Sequence, residues 1–185
     1  MMLCSISSYK MFTVVTGRFN SVTLISNYEY RTRHNLKCIY CCPSKLSPKI
    51  PHSSIVFVIE MNNDTNMIEG IGLIKNTFDL TKYYKVHTDV NTNRYIYIGN
   101  YFMDRKTIEE YNHQLVNILE LILFKGKTHS KRGSGLTTIP EKVLKMDICK
   151  DINVKKEIKD IFICHFKDSI TIDNDIIQDN NENKK

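Results

Sequence analysis

A chain of 185 residues, 42% hydrophobic and 25% charged, is long enough to bury one core without disulfide or metal staples. Lys and Arg outnumber Asp and Glu by 26 to 20, and the excess is uneven: from Asp168 onward five acids stand against two lysines, which leaves +9 on the body up to Lys167. That field favours anionic partners, phosphate-bearing ones above all, or simply serves solubility. No apolar run approaches the ~18 residues of a bilayer span, and Met1 to Met11 carries no secretion signal. The expectation is a soluble, non-secreted protein with no membrane partner and with its six cysteines reduced.

Residues 1–10 read as a flexible N-terminus and 11–167 as one α+β domain. Met11 to Thr16 is a short apolar strand, ended by Gly17. In Ser21 to Asn35, Leu24, Tyr28 and Arg31 share a helical face while Val22, Thr23 and Ile25 are β-branched, which gives a weakly patterned helix. Leu36 to Cys42 is a strand, and Pro43 to Pro51 is a loop of three prolines with Lys45 and Lys49.

The next stretch organises the rest. Ile55 to Met61 is a β-branched and aromatic run suited to burial on both faces, Asn62 to Asn66 is a turn cluster, and Met67 to Lys75 is apolar again. Together they predict a hairpin at the centre of a sheet. Gly70 and Gly72 alternate on one face, the mark of a bulge, a bend or a close approach. Glu60 and Glu69 stand across the turn, as a carboxylate pair or as two edge charges facing water.

A polar connection follows from Asn76 to Asn93. Arg94 to Met103 alternates, with Tyr95, Tyr97 and Gly99 on one side and Ile96 and Ile98 on the other, which predicts one strand with an aromatic face. Thr107 and Glu110 form a capping box before a helical stripe of Ile108, Tyr111, Leu115, Ile118, Leu119 and Ile122, stopped by Gly126. Lys127 to Thr138 is a basic loop, Pro140 opens a short helix over Glu141 to Cys149, and Asn153 to Phe166 is a last helix. Residues 168–185 read as a disordered acidic and Asn-rich tail. Five short strands with glycine-marked bends and helices at the edges predict a small curved, partly closed sheet.

Four patterns bear on chemistry. The loop G-K-T-H-S-K-R-G-S-G, Gly126 to Gly135, is not a P-loop, since position 121 is leucine where glycine is needed and a helix precedes it. It carries Lys127, His129, Lys131 and Arg132 beside Gly133 and Gly135, as a phosphate-contacting loop or a solvated basic one. Cys38 and Cys41 form one C-x-x-C without a second pair, so the thiols read as structural and neither metal nor cofactor is expected. No nucleophile is placed beside a base, and no catalytic residue is assigned. Arg94, Tyr95 and Tyr97 combine a cation with aromatics, as a base-stacking face or a second packed face.

The phrases C-I-Y-C-C-P from Cys38, V-I-E-M-N-N from Val58, G-I-G-L-I-K-N from Gly70, N-R-Y-I-Y-I-G-N-Y from Asn93 and K-R-G-S-G-L from Lys131 resemble a family of uncharacterised proteins of large nucleocytoplasmic DNA viruses, over about Phe12 to Leu144. The resemblance implies an origin, in host cytoplasm or virion, and no activity. The V-F-V-I-E strand, turn and G-I-G strand look like the core of PUA-like barrels (the group of EVE, ASCH and YTH domains), whose curved sheets cradle RNA or a modified base. The chain has no Trp, whereas the modified-base pockets of YTH-type readers use tryptophan cages. The expectation is a non-enzymatic nucleic-acid-binding module, with Arg94, Tyr95 and Tyr97 stacking and Lys127, His129, Lys131, Arg132, Gly133 and Gly135 meeting phosphate. Its alternatives are a virion or host-interaction protein, favoured if Lys45, Lys49, Lys127, Lys131 and Arg132 scatter over opposite sides, and a hydrolase with converging Glu, His and Cys.

Overall fold

The computed structural model describes residues 12–127 and 129–167; the expected flexible start (1–10) and acidic tail (168–185) lie outside the described residues. The elements run β1 Thr13–Phe19, α1 Ser21–His34, β2 Cys38–Cys42, β3 Ile55–Asn62, β4 Met67–Lys75, β5 Tyr95–Gly99, β6 Tyr101–Asp104, α2 Arg105–Phe124, β7 Leu136–Thr138, α3 Glu141–Leu144 and α4 Val154–His165. Five strands form one mixed sheet in the order β6-β4-β3-β1-β7, and β2 and β5 form a separate two-stranded ladder. The fold is therefore α+β. The sheet is not closed: β6 and β7 are its edges.

Strand alternation explains the layers. Val14, Phe57, Ile59 and Met61 point to one side and pack under α2, α3 and α4. Their neighbours Val15, Val56 and Val58 point to the other, under α1 and the β2–β5 ladder. The central hairpin is thus covered on both faces, as its unbroken apolar run requires. Gly17 does not end β1 but sits inside it, opposite Glu60 in the parallel β1–β3 register, where a Cβ would press on Val58 and Leu136.

Three expected elements change. Arg94 to Met103 is not one strand: residues up to Gly99 pair with β2, and residues from Tyr101 pair with β4. At Gly99 the chain crosses over β4 so closely that a side chain would strike the Leu73 carbonyl and the Cys38 thiol. The long helix starts at Arg105, and its cap is Asp104, which accepts the Thr107 N–H at 2.8 Å, in place of the expected Thr107–Glu110 box. It also breaks at Asn112 (φ −156°, ψ 91°), whose side chain accepts the Leu115 N–H at 2.9 Å and so starts the second segment. The break folds the helix back enough for Arg105 to pair with Glu120. The short helix after Pro140 divides into α3 and a 3-10 turn, Asp147–Cys149.

The Asn76 to Asn93 connection is an outer cover. Its Tyr84 and Val86 pack with Ile39 and Ile96 on the far side of the β2–β5 ladder. Among the described residues no helix is long and apolar enough to cross a membrane.

Candidate nucleic-acid interface

The basic loop is built onto the C-terminal end of β1. Antiparallel pairing of β7 with β1 brings residues 129–135 back to Arg18. The Arg18 guanidinium donates to the Ser130 carbonyl, to the Gly135 carbonyl at 3.3 Å and to the Thr137 hydroxyl at 3.0 Å. The β3–β4 turn holds the loop from another direction: Asn63 donates to the Lys131 carbonyl at 3.0 Å, and Lys131 Nζ donates to Asn66 Oδ1 at 2.6 Å. His129 is half-buried and accepts the Lys131 N–H. Lys127 and Arg132 are exposed cations.

Gly126, Gly133 and Gly135 all have positive φ, at 75°, 109° and 64°. At Gly133 the backbone also passes the Arg18 guanidinium, 3.5 Å from where a Cβ would stand. Both inner glycines, Gly133 and Gly135, thus hold a backbone that favours glycine.

Gly135 links the loop to the aromatic strand. A Cβ there would lie 3.3 Å from Cys42, and Cys42 pairs with Tyr95 across the β2–β5 ladder. Tyr95 is half-buried and meets Phe78 edge-on at 5.3 Å, while the exposed Lys45 places its ammonium 4.9 Å from the Phe78 ring and 5.8 Å from the Tyr95 ring. Arg94 is exposed just ahead of β5. Tyr97 is a correction: it is fully buried, and its hydroxyl accepts the Leu46 N–H at 2.9 Å, so it cannot stack on a base. Alternation assigned Tyr95 and Tyr97 one side correctly, but that side is the core side beneath the 43–51 loop.

Glu60 is a second correction. It neither pairs with Glu69 nor faces water. Its carboxylate is fully buried and pairs with Arg31 of α1, which is 5% exposed. The Tyr40 hydroxyl donates to Glu60 Oε1 at 2.8 Å, and Tyr28 reaches Oε2 at 3.4 Å. Burial first, then the Glu60 charge, pushes both phenols well above the usual tyrosine range. The Arg31 guanidinium also lies 4.7 Å from the Phe102 ring. Gly70 and Gly72 make this cluster possible, because Cβ atoms there would collide with Phe102 and with the Tyr40 hydroxyl. Glu69 falls on the bulge between the Glu60–Gly70 and Met61–Ile68 pairs, and accepts from Asn62 at 2.9 Å.

Among the described residues no group of three or more His, Cys, Asp and Glu is arranged to hold an ion. Burial pushes the Cys38 and Cys42 thiols up to about 12, which keeps them protonated and poor as ligands or nucleophiles.

The sequence reading missed one concavity. At the opposite end of β1 a groove of about 1020 Å³ is lined by Lys49, Lys145, Lys150, Lys155, Lys156 and Lys159. Its only advance signal is the lysine density between α3 and α4, and Lys49 joins it from a distant loop. No histidine lines it among the described residues, so a Glu–His–Cys constellation is not formed there. No family model, curated protein or solved structure matches this chain.

Proposed function

We propose that the protein is a non-enzymatic nucleic-acid-binding module that holds an unpaired strand on the face shared by the basic loop and the start of β5. One observation carries this reading. The Gly135–Cys42–Tyr95 neighbourhood sets the end of the basic loop, which carries Lys127 and Arg132 as exposed cations, beside a half-open aromatic pair, Phe78 and Tyr95, topped by Lys45. Cations that track phosphates beside aromatics that accept any base are the two parts of single-strand recognition. The same proposal takes the quoted motifs as the mark of a large nucleocytoplasmic DNA virus, and treats a PUA-like relationship as one in which the sheet stays open.

Fluorescence anisotropy with single-stranded RNA and with duplex DNA at two salt concentrations tests it. Lys127→Glu combined with Arg132→Glu should weaken binding and flatten the salt dependence by about 1.4 on the log–log slope for two single-strand contacts. Absence of binding by the unaltered protein at low salt refutes the proposal.

A protein-interaction role is the second reading. Leu80, Tyr83 and Val90 are 70%, 62% and 66% exposed on the 76–93 cover, and Lys49 lies at the far end of β1 from Lys131. Replacing these three apolar residues with serine should leave oligonucleotide binding unchanged and abolish any protein contact made there.

A further inference from the structure

The lysine groove gathers charge from three parts of the chain. Lys49 comes from the loop before β3, Lys145 and Lys150 flank the 3-10 turn after α3, and Lys155, Lys156 and Lys159 come from α4. Among the described residues its lining carboxylates are Glu141, Asp147 and Asp160, which leaves a net of +3. Two of these carboxylates are taken: Lys155 binds Glu141 at 2.8 Å and Lys156 binds Asp160 at 2.6 Å. Lys49, Lys145 and Lys150 have no salt-bridge partner among the described residues, although the charge of Lys145 helps, after Lys155, to hold the Glu141 carboxyl below its usual range.

Six cations converge on one concave surface where three would suffice to neutralise its acids. Lysines are point charges without the planar fork that selects carboxylates or bases, so they suit a backbone of repeated phosphates. Half-buried Phe12 lines the same groove, with Lys155 Nζ 5.6 Å from its ring, and offers an apolar wall. The groove and the basic loop lie at opposite ends of β1. Phe12 and Thr13 border it at the start of β1, whereas Arg18 holds the loop at the end of the same strand, roughly 20 Å away at about 3.3 Å per residue.

We propose that this groove is a second phosphate-binding site, and that with the loop face it lets one molecule hold two nucleic-acid segments at opposite ends of β1. The bridging part rests on the nucleic-acid reading given above; the phosphate site itself does not.

Two measurements separate them. Inorganic tripolyphosphate, titrated calorimetrically, reads phosphate binding without any base stacking, and charge-reversal variants of each face show which of them holds it. The triple variant Lys49→Glu, Lys145→Glu, Lys150→Glu should bind it about tenfold or more weakly, while Lys127→Glu with Arg132→Glu should bind it as the unaltered protein does. Equal affinity in the groove variant and the unaltered protein overturns the site. Circular dichroism confirms that the variants fold, and the milder triple change to alanine repeats the test if charge reversal unfolds the chain. For bridging, an immobilised single-stranded oligonucleotide should capture a second, labelled one only when protein is added, and either variant should abolish capture. Binding of one oligonucleotide that is lost in Lys127→Glu with Arg132→Glu, without capture of a second, overturns bridging while the loop-face reading stands. Binding of tripolyphosphate without any oligonucleotide overturns bridging and the loop-face reading together.

Discussion

Replacing Arg31 with methionine tests what fastens α1 to the sheet. The helix buries only Leu24, Asn27 and Arg31, so one ion pair carries much of its attachment. Arg31→Met keeps the aliphatic stem but leaves Glu60, with no exposed surface, facing two phenols and no cation. Breaking a buried pair from one side costs about 3–5 kcal/mol, a large share of a domain's total of about 5–15 kcal/mol. For a body of this size that lowers the melting temperature by about 6–20 °C. Glu60→Gln should cost a similar amount, because it strands the guanidinium instead. Arg31→Met with Glu60→Gln removes both charges and should cost at least about 2 kcal/mol less than the sum of the single changes. Urea unfolding followed by circular dichroism gives all three values. A single change costing under about 1 kcal/mol, or strict additivity in the double, would show that the pair is not what holds α1.

Gly133→Val, forced to keep φ near 109°, should cost about 1–3 kcal/mol; if the loop meets phosphate, oligonucleotide affinity falls as well, and a lower melting temperature with unchanged affinity removes the loop from the interface. His87 is 7% exposed with no partner for Nδ1, and burial lowers its pKa. The unfolded chain therefore binds the extra proton more readily, so stability is full above about pH 6.5 and declines as pH falls below it; His87→Asn should flatten that decline in urea midpoints measured from pH 7.5 to 5. Cys38, Cys42 and Cys149 are buried and free, while Cys164 is exposed. Brief treatment with iodoacetamide should label Cys164 and spare those three by peptide mass spectrometry, and rapid labelling of Cys38 or Cys42 contradicts the packing described.

The central hairpin was legible because its signal is local: a β-branched run, an Asn/Asp turn and a second apolar run lie within 23 residues, Ser54 to Asn76. Helix α4 was legible for the same reason to within a residue at each end; Asn153, expected as its first residue, is its cap and accepts the Lys156 N–H at 3.0 Å. Tyr97 shows where such signals stop. Alternation separates two sides of a strand, but both sides of β5 are covered, one by Leu46 and the other by Tyr84 and Val86. The break at Asn112 carries no proline or glycine, and the apolar stripe continues through it. Strand β7 has three residues and exists only because β1 offers an edge. The sequence around Glu60 suits a carboxylate pair or an edge charge, because its partner lies 29 residues earlier on a polar-faced helix. The lysine groove is a meeting of three segments, which no window of sequence contains.

The pairing of β7 with β1 has a consequence for synthesis. Thr16 and Thr137 are 121 residues apart, so one side of β1 has no mate until nearly the whole body has left the ribosome. At about 5–20 residues per second that interval is roughly 6–24 s. Throughout it a V-V-T-G-R-F strand offers bare amides to any neighbouring chain. Arg18 is the only charge on that strand, and the groups that later engage it, Ser130, Gly135 and Thr137, are among the last to arrive. The residue that finally pins the basic loop is, before then, the strand's own guard against pairing with the wrong chain.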